Sequence, residues 1–276
     1  MADLRLDKRD RFLAAVDDGP VLMGILNLTP DSFSDGGRYA SAEAAIAEAR
    51  RMHTEGAAIV DVGAESTRPG ATPITAEEEL ARLGPVLDPV CETLPVAVSI
   101  DTYKAVVARQ AVGLGAAVIN DVWGLQRDPE MAYAVAETES AVIIMHNRDA
   151  ADESVDILDD ISRFFERSLR LARAAGVPDR HVLLDPGIGF GKTIAQNYTI
   201  LAHLRRLSVF GRPILLGLSR KRMIGHVLDT DIDGRLIGTV AANVLGLAAG
   251  ARVLRVHDVA EHHDAIRIFK ANEAAK

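Results

Sequence analysis

A single-domain α/β protein built as a TIM (β/α)8 barrel is the fold this sequence predicts, and three observations predict it. Short runs rich in valine, isoleucine and leucine alternate with helical patterns along the chain. The runs are continuously apolar, as parallel strands covered on both faces must be. The 276 residues, 48% of them apolar, suffice for eight such units around one large core. A doubly wound open sheet is the alternative arrangement of the same units.

Residues 1–20 alternate charged and apolar side chains and form an N-terminal extension. They lack the unbroken apolar stretch of a signal peptide, so the expected location is cytoplasmic. The barrel domain follows over 21–276. Its strands are expected at Val21–Asn27, Ile59–Gly63, Val96–Asp101, Val118–Asp121, Ala141–His146, Val182–Asp185, Ile214–Ser219 and Val253–His257. Between them Ala42, Ala45, Ile46, Ala49, Met52 and His53 recur at helical spacing, as do Ile161, Phe164, Phe165, Leu169 and Ala172. Thr75 with Glu78 spells a capping box ahead of Leu80 and Leu83, and Gly56 and Gly176 stand where helices should stop. The longest uncharged stretch, Leu236 to Ala251, falls short of the roughly 20 residues of a membrane span and reads as a buried barrel helix.

Composition excludes several classes of function. The net charge is −8, with lysine and arginine scattered, so no segment supplies the phosphate attraction that nucleic-acid binding needs. Cys91 is the only cysteine, which rules out an intramolecular disulfide or a cysteine zinc cage and reads as a small structural hydrophobe.

Polar residues close almost every apolar run: Asn27, Asp101, Asn120 with Asp121, His146, Asp185, Ser219 with Lys221, and Arg255 with His257. Any one of them is explained by a strand end meeting solvent; in a barrel they converge at one mouth, where active sites are built. Leu28 to Gly37 consists of turn formers around Phe33, with Asp31 and Asp35 beside it, and reads as a lid over a substrate. Glu65 to Ala71 brings Thr67, Arg68 and Pro69 together in a grouping able to bind an anion. Asp185 to Thr193 resembles a phosphate loop superficially, but the position that needs the first glycine is Pro186, so that reading fails. The segment offers instead a strand-end carboxylate, glycines that let a flat ligand approach, and Phe190 as a lining ring. Arg255 and His257 share one face of the last strand, and a pair of in-pointing cations suggests a bound anion, such as a diphosphate.

The stretches Gly24 to Gly37 and Glu65 to Gly70 closely resemble the two signatures of dihydropteroate synthases. Ser99-Ile-Asp-Thr102, Ile119-Asn-Asp121, Leu184 to Lys192, Ser219-Arg-Lys221 and Arg255-Val-His-Asp258 match the same family in order, so the resemblance spans Val21 to Lys270. It implies a (β/α)8 barrel, a homodimer, and condensation of 6-hydroxymethyl-7,8-dihydropterin diphosphate with p-aminobenzoate, assisted by Mg²⁺. It also implies roles. Asp101, Asn120, Asp185 and Lys221 hold the pterin, Met145 walls its pocket and Arg255 stacks on the ring. Asn27, Arg68, Arg255 and His257 surround the diphosphate, with Thr67 on the same rim and the Asn27 oxygen on Mg²⁺, and Asp35 stabilises a pterin cation. Phe33, Pro69, Phe190 and the stem of Lys221 take the benzoate.

The sequence departs from the family after Lys221, where many members carry serine against the benzoate carboxylate and this chain has Arg222. Met145-His-Asn-Arg148 also continues differently after its first pair, which leaves His146 and Arg148 without a role. Ser66 to Ala71 has the ordinary form, which implies sensitivity to sulfonamides. Two rival readings are a pterin-dependent methyltransferase, which needs no diphosphate site, and a pterin-binding paralogue without turnover, which would lack the first-loop residues present here.

Overall fold

The structure is a computed structural model that describes residues 2–28, 38–66 and 72–276. Eight parallel strands close into a barrel in the order of the sequence: β1 (Val21–Asn27), β2 (Ala57–Gly63), β3 (Ala97–Asp101), β4 (Val118–Asp121), β5 (Ala141–Met145), β6 (Val182–Asp185), β7 (Ile214–Leu216) and β8 (Ala251–Val256). The open-sheet alternative is thereby excluded, because β1 pairs with both β2 and β8. The helices are α1 (Ala2–Asp18), α2 (Arg38–Thr54), α3 (Ala76–Thr93), α4 (Ala105–Gly113), α5 (Met131–Glu137), α6 (Ile157–Ala175), α7 (Ile194–Ala202), α8 (Arg222–Leu228), α9 (Leu236–Ala248) and α10 (Val259–Glu273).

Two apolar layers follow from the period of two along each strand. Outward residues such as Leu22, Val60, Ile100, Ile119, Ile144, Leu184, Leu216 and Leu254 pack against the helices. Inward residues Met23, Ile59, Ala97, Val118, Ile143, Leu183, Leu215 and Val253 fill the lower barrel, one from each strand.

The N-terminal extension closes the bottom of that interior. Phe12 and Val16 of α1 pack into the inward layer. Lys8 donates to the Cys91 carbonyl at 2.7 Å and Arg5 to the Thr138 carbonyl at 2.7 Å, and Arg9 donates to the Glu139 carbonyl. These carbonyls lie at the C-terminal ends of α3 and α5, where a cation is favoured.

Local punctuation follows the sequence with three corrections. Gly176 ends α6 in the left-handed conformation, φ 91°, as expected of a helix stop. Thr75 accepts the Glu78 N–H at 3.2 Å, but Glu78 does not return the bond, because its carboxylate pairs with Arg82 at 2.6 Å; the box is half made. The stretch expected as a buried helix forms α9 with only one face covered: Ile237 and Leu245 are 82% and 62% exposed. Finally, β7 ends at Leu216, short of Ser219, since Gly217 and the turn into α8 leave the ladder. Cys91 is buried as expected, and burial pushes its thiol up to about 12.

Candidate active site

Continuing the inward positions upward turns the barrel lining from apolar to polar. Two residues beyond Ile59, Val118, Leu183 and Val253 stand Asp61, Asn120, Asp185 and Arg255; four beyond Ala97 stands Asp101, and two beyond Ile143 stands Met145. All of these sit at the C-terminal mouth, and only Arg255 among them is more than marginally exposed. Asn27 ends β1 opposite Gly63 of β2, half-buried.

Parity also corrects the expectation that every strand-end polar residue converges on the mouth. Asp121 and His146 are each one step past an inward residue and so face outward. Asp121 accepts the N–H groups of Trp123 at 2.8 Å and Leu125 at 2.7 Å, shaping a turn. His146 packs edge-on against Phe164 and lies 3.2 Å from Asp160, which Arg148 also meets at 3.3 Å. Burial lowers the His146 pKa to about 2, with Lys192 and Arg148 adding to it, so the ring is a neutral structural group.

Arg255 does not wait unpaired for an anion, which corrects the expectation drawn from its position beside His257. Its Nε donates to Asp61 Oδ2 at 2.7 Å, and its Nη2 reaches Asp61 at 2.6 Å and Asp101 at 2.9 Å. Asn120 Nδ2 donates to the same Asp61 oxygen at 3.1 Å. Asp61 is therefore the hub of the mouth, and it is the residue that the sequence reading missed. Its signal was a lone carboxylate inside a valine and isoleucine run whose two faces are both buried.

The geometry leaves acceptors without partners at the mouth. Asp61 Oδ1, Asp101 Oδ1, Asn120 Oδ1 and Ser99 Oγ are buried with no hydrogen-bond partner among the described residues. Burial pushes the Asp101 carboxyl above the usual carboxylate range against the pull of Arg255, and it raises Asp185 against the pull of Lys221. Buried acceptors of this kind call for a ligand that brings its own donors.

The opposite wall is formed after β6 and β7. Asp185 Oδ1 accepts the Gly187 N–H at 2.7 Å, which leaves Oδ2 toward the pocket. Lys221 donates to the Ile188 carbonyl and stands 4.4 Å over the Phe190 ring. Burial lowers the Lys221 pKa to about 8, with Asp185 opposing. Gly217 lies close to Asp185 and Arg255: a Cβ there would make ordinary contact 3.5 Å from Asp185 Oδ2 and 3.9 Å from Arg255 Cβ. Ser219 accepts the His257 backbone N–H at 3.2 Å, and its hydroxyl lies 3.0 Å from His257 Nδ1. Between Ser219 and Lys221, Arg220 turns outward at φ 54° to grip Asp258, bracing the rim. Arg222 is exposed at the start of α8.

The structure thus brings Asp101, Asn120, Met145, Asp185, Phe190, Lys221, Arg255 and His257 to the C-terminal end of the barrel with Asn27. Phe33, Asp35, Thr67, Arg68 and Pro69 lie outside the described residues. The strand end from which the second connection departs is firmly held: Glu65 accepts from Tyr103 at 2.8 Å and pairs with Lys104, which also reaches Glu79 at 2.6 Å. Burial raises the Glu79 pKa, and Lys104 works against that.

Inward-facing acceptors and cations at the C-terminal mouth of a closed (β/α)8 barrel define a barrel enzyme that binds a small polar ligand. A family model described as pterin binding enzyme matches residues 23–257. The dihydropteroate synthase of Bacillus subtilis (strain 168) is 46% identical over 239 residues, 87% of this chain and 84% of that protein. A crystal structure of the Clostridium difficile dihydropteroate synthase in the presence of pteroic acid superposes with a TM-score of 0.90 at 46% identity, covering 92% of this chain and 97% of that one. The Yersinia pestis enzyme in complex with a sulfonamide drug gives 0.87 at 42% identity, over 93% and 95% of the two chains. The chain belongs to the pterin binding enzyme family and, within it, to the dihydropteroate synthases.

Proposed function

We propose that this chain joins 6-hydroxymethyl-7,8-dihydropterin diphosphate to p-aminobenzoate, giving 7,8-dihydropteroate and diphosphate. The observation that carries the reading is the set of unpartnered acceptors on Asp101 and Asn120, faced across the mouth by Asp185 and Lys221. An aminopyrimidine edge brings the N–H donors those acceptors lack, and the ring carbonyl suits the Lys221 ammonium. Met145 walls the ring and Arg255 lies against its face, while Asp61 holds the guanidinium in place.

In the reaction the arylamine nitrogen bonds to the pterin methylene carbon as the bond from that carbon to the diphosphate oxygen breaks, and the nitrogen gives up a proton. The amine is a weak nucleophile, so charge developing on the leaving diphosphate must be neutralised early. Arg255, His257, Arg68 and Thr67 have that role, and Asp35 stabilises positive charge on the pterin. Phe33, Pro69, Phe190 and the Lys221 stem receive the benzoate ring.

Asn27 supplies a neutral hard oxygen at the rim, which fits Mg²⁺ held mainly by diphosphate and water; among the described residues no cluster of three or more acidic, histidine or cysteine groups competes for it. The ion would neutralise diphosphate charge when bound. A homodimer is supported by the exposed apolar face of α9, where Ile237 and Leu245 lie two turns apart, with Val227 of α8 exposed nearby. The lone buried Cys91 fits a reducing cytoplasm. Among the described residues no helix is long and apolar enough to cross a membrane.

The test is diphosphate release from dihydropterin diphosphate and Mg²⁺, with and without p-aminobenzoate. Release that requires p-aminobenzoate, yields dihydropteroate and is suppressed competitively by a sulfonamide is the expected result. Pterin binding without turnover would overturn the reading.

Protonation of Lys221 makes pterin affinity depend on pH. With a pKa of about 8, its charged fraction drops from about nine-tenths at pH 7 to about one-tenth at pH 9, so affinity is expected to fall by up to about tenfold over that interval. Calorimetric titration with 6-hydroxymethylpterin measures this, with Lys221→Met supplying the ligand's own titration as a baseline. Parallel curves for the two proteins would exclude the lysine.

A further inference from the structure

The connection after β6 is fastened by a lysine that the chemistry above does not use. Lys192 is 9% exposed, and its ammonium donates to the carbonyls of Gly187 at 2.7 Å, Phe190 at 2.9 Å and His146 at 3.3 Å. Three acceptors match the three N–H bonds of an ammonium, whereas a neutral amine has only two. Burial lowers its pKa, with Asp185 opposing, and among the described residues no carboxylate forms an ion pair with it, so the three accepting carbonyls are what favour the protonated form. Two of those carbonyls belong to the connection and the third follows β5, so one side chain ties neighbouring βα junctions together.

The backbone around it is pressed too close for any other arrangement. A Cβ on Gly187, at φ 66°, would stand 1.9 Å from the His146 carbonyl oxygen, and one on Gly191, at φ 57°, would stand 2.3 Å from that of Arg148. The same connection touches two groups of the wall formed after β6 and β7. Its Gly187 N–H orients Asp185, and its Ile188 carbonyl and Phe190 ring orient Lys221.

We infer that Lys192 is a positioning residue for pterin recognition, holding residues 187–190 so that Asp185 and Lys221 present an acceptor and a donor at a fixed separation. This rests on the pterin reading of the mouth given above. Its role is invisible in the phosphate-loop pattern, because its ammonium is bonded to carbonyls of its own chain.

The experiment measures Kd for 6-hydroxymethylpterin by calorimetry, steady-state turnover and thermal melting on the full chain, on Lys192→Met and on Lys192→Gln. Dihydropteroate formation by the unaltered chain checks the substrate reading itself; its absence would sink that reading and this inference together. Given turnover, the expected result is a pterin Kd raised at least tenfold in the methionine variant and less in the glutamine variant, which keeps two N–H donors. KM for the dihydropterin diphosphate rises in parallel, with kcat at saturation changed less than threefold. A lowered melting temperature with a pterin Kd within twofold of the unaltered chain would mean a purely structural lysine and overturn the inference, as would a fall in kcat alone. If the methionine variant does not fold, the glutamine variant decides on the same criteria; failure of both to fold assigns Lys192 to barrel stability and equally overturns it.

Discussion

Replacing Arg255 by methionine is expected to lower turnover by roughly 10²–10³-fold and stability by about 3–5 kcal/mol. Among the described residues the guanidinium is the sole cation bonded to Asp61, and it opposes the effect of burial at Asp101. Methionine fills similar volume without charge, so two neighbouring buried carboxylates would lose their counterion. Asp101, whose carboxyl burial already raises, would then hold its proton more tightly still. A carboxyl with a raised folded pKa contributes stability at low pH and loses it as pH rises through that pKa, so the deficit should be smallest near pH 5 and widen toward pH 8. Urea unfolding across that range measures it. Adding Asp61→Asn should return part of the stability and none of the turnover. A pH-independent deficit would mean that the two carboxylates do not depend on Arg255.

The second large effect is expected for Asp185→Asn, which should weaken pterin binding by about 1.5–3 kcal/mol while the fold survives. That is roughly a 10- to 150-fold rise in Kd. One carboxylate oxygen already accepts the Gly187 N–H at 2.7 Å. An introduced amide keeps that bond only by pointing its oxygen inward, which turns its two N–H donors toward the pocket. A pterin donor would then meet a donor. Lys221 would also lose the negative charge that holds its proton against burial. Calorimetry with 6-hydroxymethylpterin, alongside a circular-dichroism melt, distinguishes the roles: an unchanged Kd with a lowered melting temperature would confine Asp185 to shaping its own turn.

Much of this arrangement is legible in the sequence, because a strand buried on both faces must be apolar until it reaches the mouth. The strand ends at Asn27, Asp101, Asn120 and Asp185 therefore stand out as polar residues closing greasy runs, and the barrel follows from the regularity of those runs. What strand ends alone do not convey is parity. Asp121 and His146 look equivalent to Asn120 and Asp185 until the inward series is counted from the barrel floor. Asp61 hides for the opposite reason: it lies within its run, two residues short of the end, where an apolar reading passes over it. The partners of Lys104 and Arg255, and the reach of Lys192 to His146, are beyond local reading altogether. They are set by barrel closure, which brings residues as distant as 61 and 255 within hydrogen-bond reach.

The helix that seals the lower barrel has a kinetic consequence. With Phe12 and Val16 packed into the inward layer, the described residues fill the barrel floor, and a ligand reaches the polar groups above it from the C-terminal mouth. Whatever occupies the groups nearest the floor must arrive before anything that sits above it, and a product spanning both levels must withdraw through the doorway by which the next molecule comes in.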